Sequence, residues 1–253
     1  MNKHVIFWSI TVGLGGMLFG MDMTVISGVE KTIKELWHLD DWTHGFAMAT
    51  ALYGTVLGAA FGGIPADKFG RKKTLFWIGL SFLISSIGAA LATDVNNFMI
   101  FRFLGGLGIG ASSVVAPIYI SEIAPAKHRG KLVISFQLNI VLGILIAYVS
   151  NYLISGLGEN DWRWMLGIVG LPSLMFSILI LFTPESPTFL LLHRNDQAGA
   201  LKVLELVDPD PKGTINRILA NQSKVSTSER IFTSKYFKPL LLAFLFSFFN
   251  QLS

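Results

Sequence analysis

Six times in succession the chain runs for about 20 residues with almost no charge, and that pattern leaves very few folds open. The stretches are roughly 5–28, 44–66, 73–93, 97–120, 131–154 and 163–183. Each is long enough to cross a bilayer as a helix, and none alternates polar and apolar residues as a half-buried strand does. Helix is also the one structure that satisfies its backbone hydrogen bonds within a single segment in lipid. Composition agrees: 14% of residues are charged, against roughly a quarter in a soluble domain. The mean hydropathy is +0.57. The first stretch follows Lys3 and His4 but is too long for a signal sequence and lacks a small-residue cleavage site, so it reads as a retained helix.

A seventh apolar stretch, "PLLLAFLFSFFNQLS", starts at Pro239 and is too short to span. The expected organisation is therefore a six-helix membrane bundle over 1–183, a helical linker over 184–238, and the start of a further bundle over 239–253. A chain that stops in mid-helix is expected to be part of a longer protein, whose second bundle is its nearest partner.

Basic residues cluster in alternate loops. Lys68, Arg71, Lys72 and Lys73 lie between the second and third stretches, and Lys127, Arg129 and Lys131 between the fourth and fifth. The intervening loops hold Glu30, Glu35, Asp40 and Asp41 beside Lys31 and Lys34, then Asp94, then Glu159, Asp161 and Arg163. The excess of lysine and arginine places the N-terminus, the basic loops and the linker in the cytoplasm. The net charge of +4 is thus topological and carries no nucleic-acid signal. In the linker, "DQAGALKVLELV" opens on a helix cap at Asp196 and repeats apolar residues at helical spacing, "DPDPKG" breaks it, and "TINRILANQS" suggests another helix.

Two charges sit inside apolar stretches. Asp22 is the one ionisable residue between Val5 and Val29, and Arg102 lies several residues into the fourth stretch. A charge at mid-membrane costs roughly 2.5–3.5 kcal/mol on the most lenient scale, so each is the other's natural partner. A carboxylate beside an arginine favours its charged form, and the same group alone in an apolar site favours the neutral one. A pair that opens and closes therefore exchanges a proton. The bland alternative is a static ion pair that pins two helices, or an aspartate hydrated near the interface. The glycine-rich first and fourth stretches, each with one such charge, suggest two three-helix repeats related by inversion, as in half of a two-bundle transporter.

The string "GGIPADKFGRKK" (Gly62–Lys73) reads as a tight loop turning at Gly70, and "PIYISEIAPAKHRGKL" with "PESP" sets Glu122, Arg129 and Glu185 at helix ends. Salt links there could latch one end of the bundle. Inside the spans, Gln137 shares a helical face with Val141, Ile144 and Tyr148, and Asn250 and Gln251 fall in the seventh stretch. Amides suit a neutral polyhydroxylated solute or serve equally as glue between helices. "GGLGIGA" lies within a span, where small residues permit close helix contact rather than nucleotide binding. No cysteine, no metal-ligand spacing and no nucleophile motif occur, so an enzyme is not expected.

"GGMLFGMDMTVISG", "GGIPADKFGRKK", "RFLGGLGIGASSVVAPIYISEIAPAKHRGKL", "WRW", "PESP" and "FNQLS" together resemble, in order, the sugar porter family of the major facilitator superfamily. The resemblance covers nearly the whole chain. It implies alternating-access transport of a hexose, pentose or polyol, with no cofactor beyond protons as the coupling ion. By that resemblance Asp22 and Arg102 couple protons, Phe19, Gln137, Asn250 and Gln251 contact sugar, and Asp67, Arg71, Glu122, Arg129 and Glu185 form a cytoplasmic gate. Three positions depart from the family pattern: Thr188 replaces an arginine, Ile144 a second glutamine, and Asn250 the first of a glutamine pair. The expected function is proton-coupled sugar uptake at a bacterial inner membrane, a source suggested by short outer loops without glycosylation sequons. A facilitative uniporter or a non-transporting sugar sensor are the alternatives, and the fragment alone is not expected to transport.

Overall fold

A computed structural model of the protein describes residues 3–125, 128–225 and 241–242, and every regular element among them is helical. In order these are α1 (Lys3–Val25) with a 3-10 turn (Ile26–Gly28), α2 (Glu30–Leu36), α3 (Asp41–Phe61), α4 (Gly63–Phe69), α5 (Arg71–Ala90) and α6 (Val95–Ile123). Then follow α7 (Arg129–Ile154), α8 (Asp161–Gly167), α9 (Gly170–Ile180), α10 (Pro187–Arg194), α11 (Gln197–Val207) and α12 (Pro211–Val225). Five spans are long and apolar enough to cross a bilayer, with α8 and α9 forming one of them, and α3 with α4 makes a sixth as one bent span. These are the six expected stretches.

Proline explains both interruptions. Pro65 has no N–H to donate to the carbonyl of Phe61, and there α3 gives way to α4 at a bend of 46°. Pro172 likewise leaves the Ile168 carbonyl without its regular donor, and α8 breaks before α9. What reads in the sequence as a tight loop, Gly62–Lys73, is therefore helix through Phe69, and the chain turns only at Gly70. That residue has φ +105°, and a Cβ on it would collide with the Glu185 carboxylate. At the opposite end of the bundle Asp40 and Asp94 cap α3 and α6. Asp94 accepts from the Asn97 backbone N–H at 3.0 Å, a bond that holds its carboxyl below the usual carboxylate range.

Glycine lets the spans touch backbone to backbone. A Cβ on Gly54 or Gly58 of α3 would run into the carbonyls of Phe103 and Leu107 of α6, and one on Gly106 or Gly110 into those of Ala51 and Thr55. The run "GGLGIGA" is thus a helix-contact surface. The α1–α7 contact repeats this device with Gly16, Gly20 and Gly143. The pairings have a two-fold logic. Exchanging the first three spans with the last three turns the α1–α7 contact into α6–α3, and α5–α6 into α9–α1. The α1–α6 and α5–α9 contacts map onto themselves. All of these pairs are in contact, as two inverted three-helix repeats require.

The first compact unit runs on beyond 183 to Ile215, because α10 and α11 bury apolar faces: Phe189, Leu190 and Leu191 on one, Ala200, Val203 and Leu204 on the other. α10 packs on α4 and α6. Asp196 caps α11 through the Gly199 N–H (2.8 Å), and Pro211, inside the expected break, is the first residue of α12. A second unit, Asn216–Ser253, begins within α12.

Candidate functional site

Asp22 lies one turn from the end of α1, yet it is 2% exposed, and Arg102 is 3% exposed. Neighbouring helices, rather than depth in the bilayer, keep water away from the pair. Arg102 Nη1 donates to Asp22 Oδ1 at 2.9 Å, and Nη2 donates to the Asp22 backbone carbonyl at 3.2 Å. That second bond has a structural origin. Where α1 passes into the 3-10 turn, side chains donate to the carbonyls of its last turn. Arg102 serves Asp22, the Ser27 hydroxyl serves Thr24 (2.8 Å), and Asn151 Nδ2 of α7 serves Val25 (3.2 Å).

Asp22 Oδ2 is different. It is buried and has no hydrogen-bond partner among the described residues. The nearby Ser85 hydroxyl is committed to the Phe101 carbonyl at 2.7 Å. A Cβ on Gly105 would stand 3.5 Å from Oδ2 and clash with Ser85 Oγ, so glycine keeps a small space beside the bare oxygen. A buried, unsatisfied carboxylate oxygen costs more than the roughly 1–3 kcal/mol of an unmet neutral group.

At the basic end of the bundle, Arg71 is enclosed on all sides. Its Nε and Nη2 reach the two carboxylate oxygens of Glu122 at 3.1 and 3.2 Å, while Nη1 donates to the Ala66 carbonyl (3.2 Å) and pairs with Asp67 (3.0 Å). This fork ties α4 and α5 to the end of α6. Glu185 completes the cluster differently: its Oε1 accepts from the N–H groups of Lys72 and Ser186 at 3.1 and 2.9 Å, an anion at the N-terminus of α5. Asp67, Arg71, Glu122 and Glu185 are thus brought together. Arg129 opens α7, is exposed, and makes no ion pair among the described residues.

The sequence reading missed Tyr119. Its hydroxyl donates to the Pro184 carbonyl at 2.6 Å, which pins the segment carrying Glu185. The signal was present: Tyr119 and Glu122 are three residues apart on one helix and share a face. Asn151 was missed as well, since an amide in a span gives no sign of which carbonyl it will cap.

Phe19 is half-buried on α1, one turn before Asp22. Gln137, Val141 and Tyr148 are exposed along α7, and Ile144 is half-buried. Asn250 and Gln251 lie outside the described residues.

The chain matches known transporters over most of its length. It is 36% identical to the arabinose-proton symporter of Bacillus subtilis over 98% of this chain and 55% of that protein. It is 39% identical to the glucose transporter GlcP of Staphylococcus epidermidis, over 83% of this chain and 46% of that one. The solved structure of XylE, a proton:xylose symporter of the major facilitator superfamily, bound to 6-bromo-6-deoxy-D-glucose, superposes with a TM-score of 0.84. The two are 31% identical, over 90% of this chain and 56% of that chain. The chain spans about half the length of the curated relatives it matches. The description "sugar (and other) transporter" matches residues 8–253. With these matches and a multi-pass helical fold, the chain belongs to the sugar porter family of the major facilitator superfamily, a family of membrane transporters and not of enzymes.

Proposed function

We propose that this chain supplies the N-terminal bundle of a proton-coupled sugar transporter, taking up a hexose, pentose or polyol by alternating access. The observation that carries the coupling is the Asp22–Arg102 pair: one carboxylate oxygen is held by the guanidinium, and the other is buried and bare. With the pair closed, Arg102 stabilises the charged carboxylate. When the helices rock and the guanidinium withdraws, an isolated carboxylate in an apolar site takes a proton. Relatives named as proton symporters for arabinose and xylose support this reading.

Sugar contact is assigned to Phe19 and to the Gln137–Tyr148 face of α7, and, from the family resemblance alone, to Asn250 and Gln251. The Arg71–Glu122–Asp67 cluster with Glu185 closes the basic end between turnovers, and Arg129 is assigned to the same gate. The basic loops support a cytoplasmic N-terminus, and the membrane is assigned as a bacterial inner membrane.

Asp22→Asn in the intact protein is the test. The amide keeps an acceptor for Arg102 but cannot ionise. The expected result is loss of uphill sugar accumulation with sugar counterflow retained. Unimpaired accumulation would leave a facilitative uniporter in which the pair is only structural, and loss of counterflow as well would point to a broken fold or a non-transporting sensor.

A further inference from the structure

Beside the bend between α3 and α4, a groove of about 510 Å³ opens on the outer surface of the bundle, between α4, α5 and α6. Its walls are Phe69, Trp77, Ile78 and Leu107, and Gly108 contributes no side chain to its floor. The Ser81 hydroxyl on its edge donates back to the Ile78 carbonyl of its own helix at 2.7 Å, so it offers the groove no free donor. Trp77 is 64% exposed. At the mouth stands Lys73, exposed, one turn from Trp77 on the same side of α5.

Lys73 differs from the other cations of its loop. Arg71 is buried against Glu122 and Asp67, Lys72 Nζ donates to the Leu181 carbonyl at 2.7 Å, and Lys68 lies over the Phe69 ring at 5.4 Å. Lys73 has neither an ion pair nor a hydrogen bond among the described residues, and no lining residue of the groove is acidic. The nearby Asp67 carboxylate is already paired with Arg71.

We propose that this groove seats one anionic phospholipid, with its phosphate on Lys73 and an acyl chain lying along Trp77 between α4 and α6. In a bilayer, an apolar recess on the outer wall of a span fills with a lipid chain. An unpaired ammonium at its mouth selects the headgroup, as a point charge does for phosphate, and an interfacial tryptophan fixes the depth. The seat depends on α5 crossing the membrane and not on proton coupling or on the direction of transport, so it stands or falls separately from the proposed function.

The test is native mass spectrometry of the intact protein with phosphatidylglycerol, phosphatidylethanolamine and phosphatidylcholine of identical chains. Phosphatidylglycerol is expected to remain bound at several times the occupancy of the other two. Lys73→Gln is expected to bring it down to their level, and Trp77→Ala, at an exposed position, to lower its occupancy with the charge intact. Lys131→Gln, a lysine on the other basic loop, is expected to change nothing. Equal retention of the three lipids, a Lys73→Gln protein that still prefers phosphatidylglycerol, or an equal loss in Lys131→Gln would overturn the proposal.

Discussion

Asp22 and Arg102 answer to two different demands, and substitution separates them. Removing one member of a buried ion pair leaves the other uncompensated, a loss of about 3–5 kcal/mol, whereas replacing both with neutral side chains is often close to neutral. Arg102→Met is therefore expected to lower the melting temperature sharply, because it strands Asp22 and removes the side-chain bond to the Asp22 carbonyl. The double variant Asp22→Asn/Arg102→Met should regain most of that stability yet still fail to accumulate sugar. A double variant as unstable as the single one would mean that the main-chain bond from Arg102, rather than the charge pair, holds α1 to α6. Both charges were legible in the sequence because nothing else in their spans ionises. The bare state of Oδ2 was not, because it depends on Ser85 bonding to Phe101 and on Gly105 having no side chain, facts of tertiary contact alone.

Among the helices, the small residues decide how closely two axes approach. Gly110 lies against the backbone of Thr55 and Ala59, so Gly110→Leu is expected to push α3 and α6 apart and yield aggregate on size exclusion. Gly45, also in α3, has open space around its Cα. Gly45→Ala should be tolerated and add about 0.5–1 kcal/mol, the usual difference between glycine and alanine in a helix. If the two variants behaved alike, close contact would not be what these glycines serve. At the basic end, Tyr119→Phe removes one hydrogen bond to the Pro184 carbonyl, worth about 1 kcal/mol. Its melting temperature should fall modestly while the basic end opens more readily, read as faster modification of a cysteine placed at Thr188. Unchanged modification would exclude Tyr119 from gate closure. The six spans and the Asp196 cap were readable because apolar length and capping are local. The shapes of α4 and the α8–α9 break were readable in principle, from Pro65 and Pro172. The short helix α2 was not, since seven residues with four charges resemble a loop until Ile33 is seen to be buried.

Across the whole molecule the burden falls on α7. Only 28% of its apolar window is buried, where the other four unbent spans run from 50% to 61%. Two adjacent stripes along it are open. Gln137, Val141 and Tyr148, with half-buried Ile144, form one; Leu138, Leu142, Leu145 and Val149 form the other, a single residue out of register. A purely apolar stripe needs only lipid. One that begins with an amide suits a watery path facing a second bundle. The chain has no cysteine, so single thiols can tell the two stripes apart. Thiols react as thiolates, which form in water and not in a lipid interior. In the intact protein, Gln137→Cys is expected to react with a membrane-impermeant maleimide and to be shielded by the transported sugar. Leu142→Cys, one stripe over, is expected to stay unreactive with or without sugar. If Leu142→Cys reacted as fast as Gln137→Cys, the two stripes would share one environment, and the placing of the solute path along α7 would be wrong whatever the state of Asp22. If Gln137→Cys reacted but sugar gave no protection, water would reach the stripe without solute following it, and Gln137 would be a helix contact exposed to solvent rather than part of the binding site.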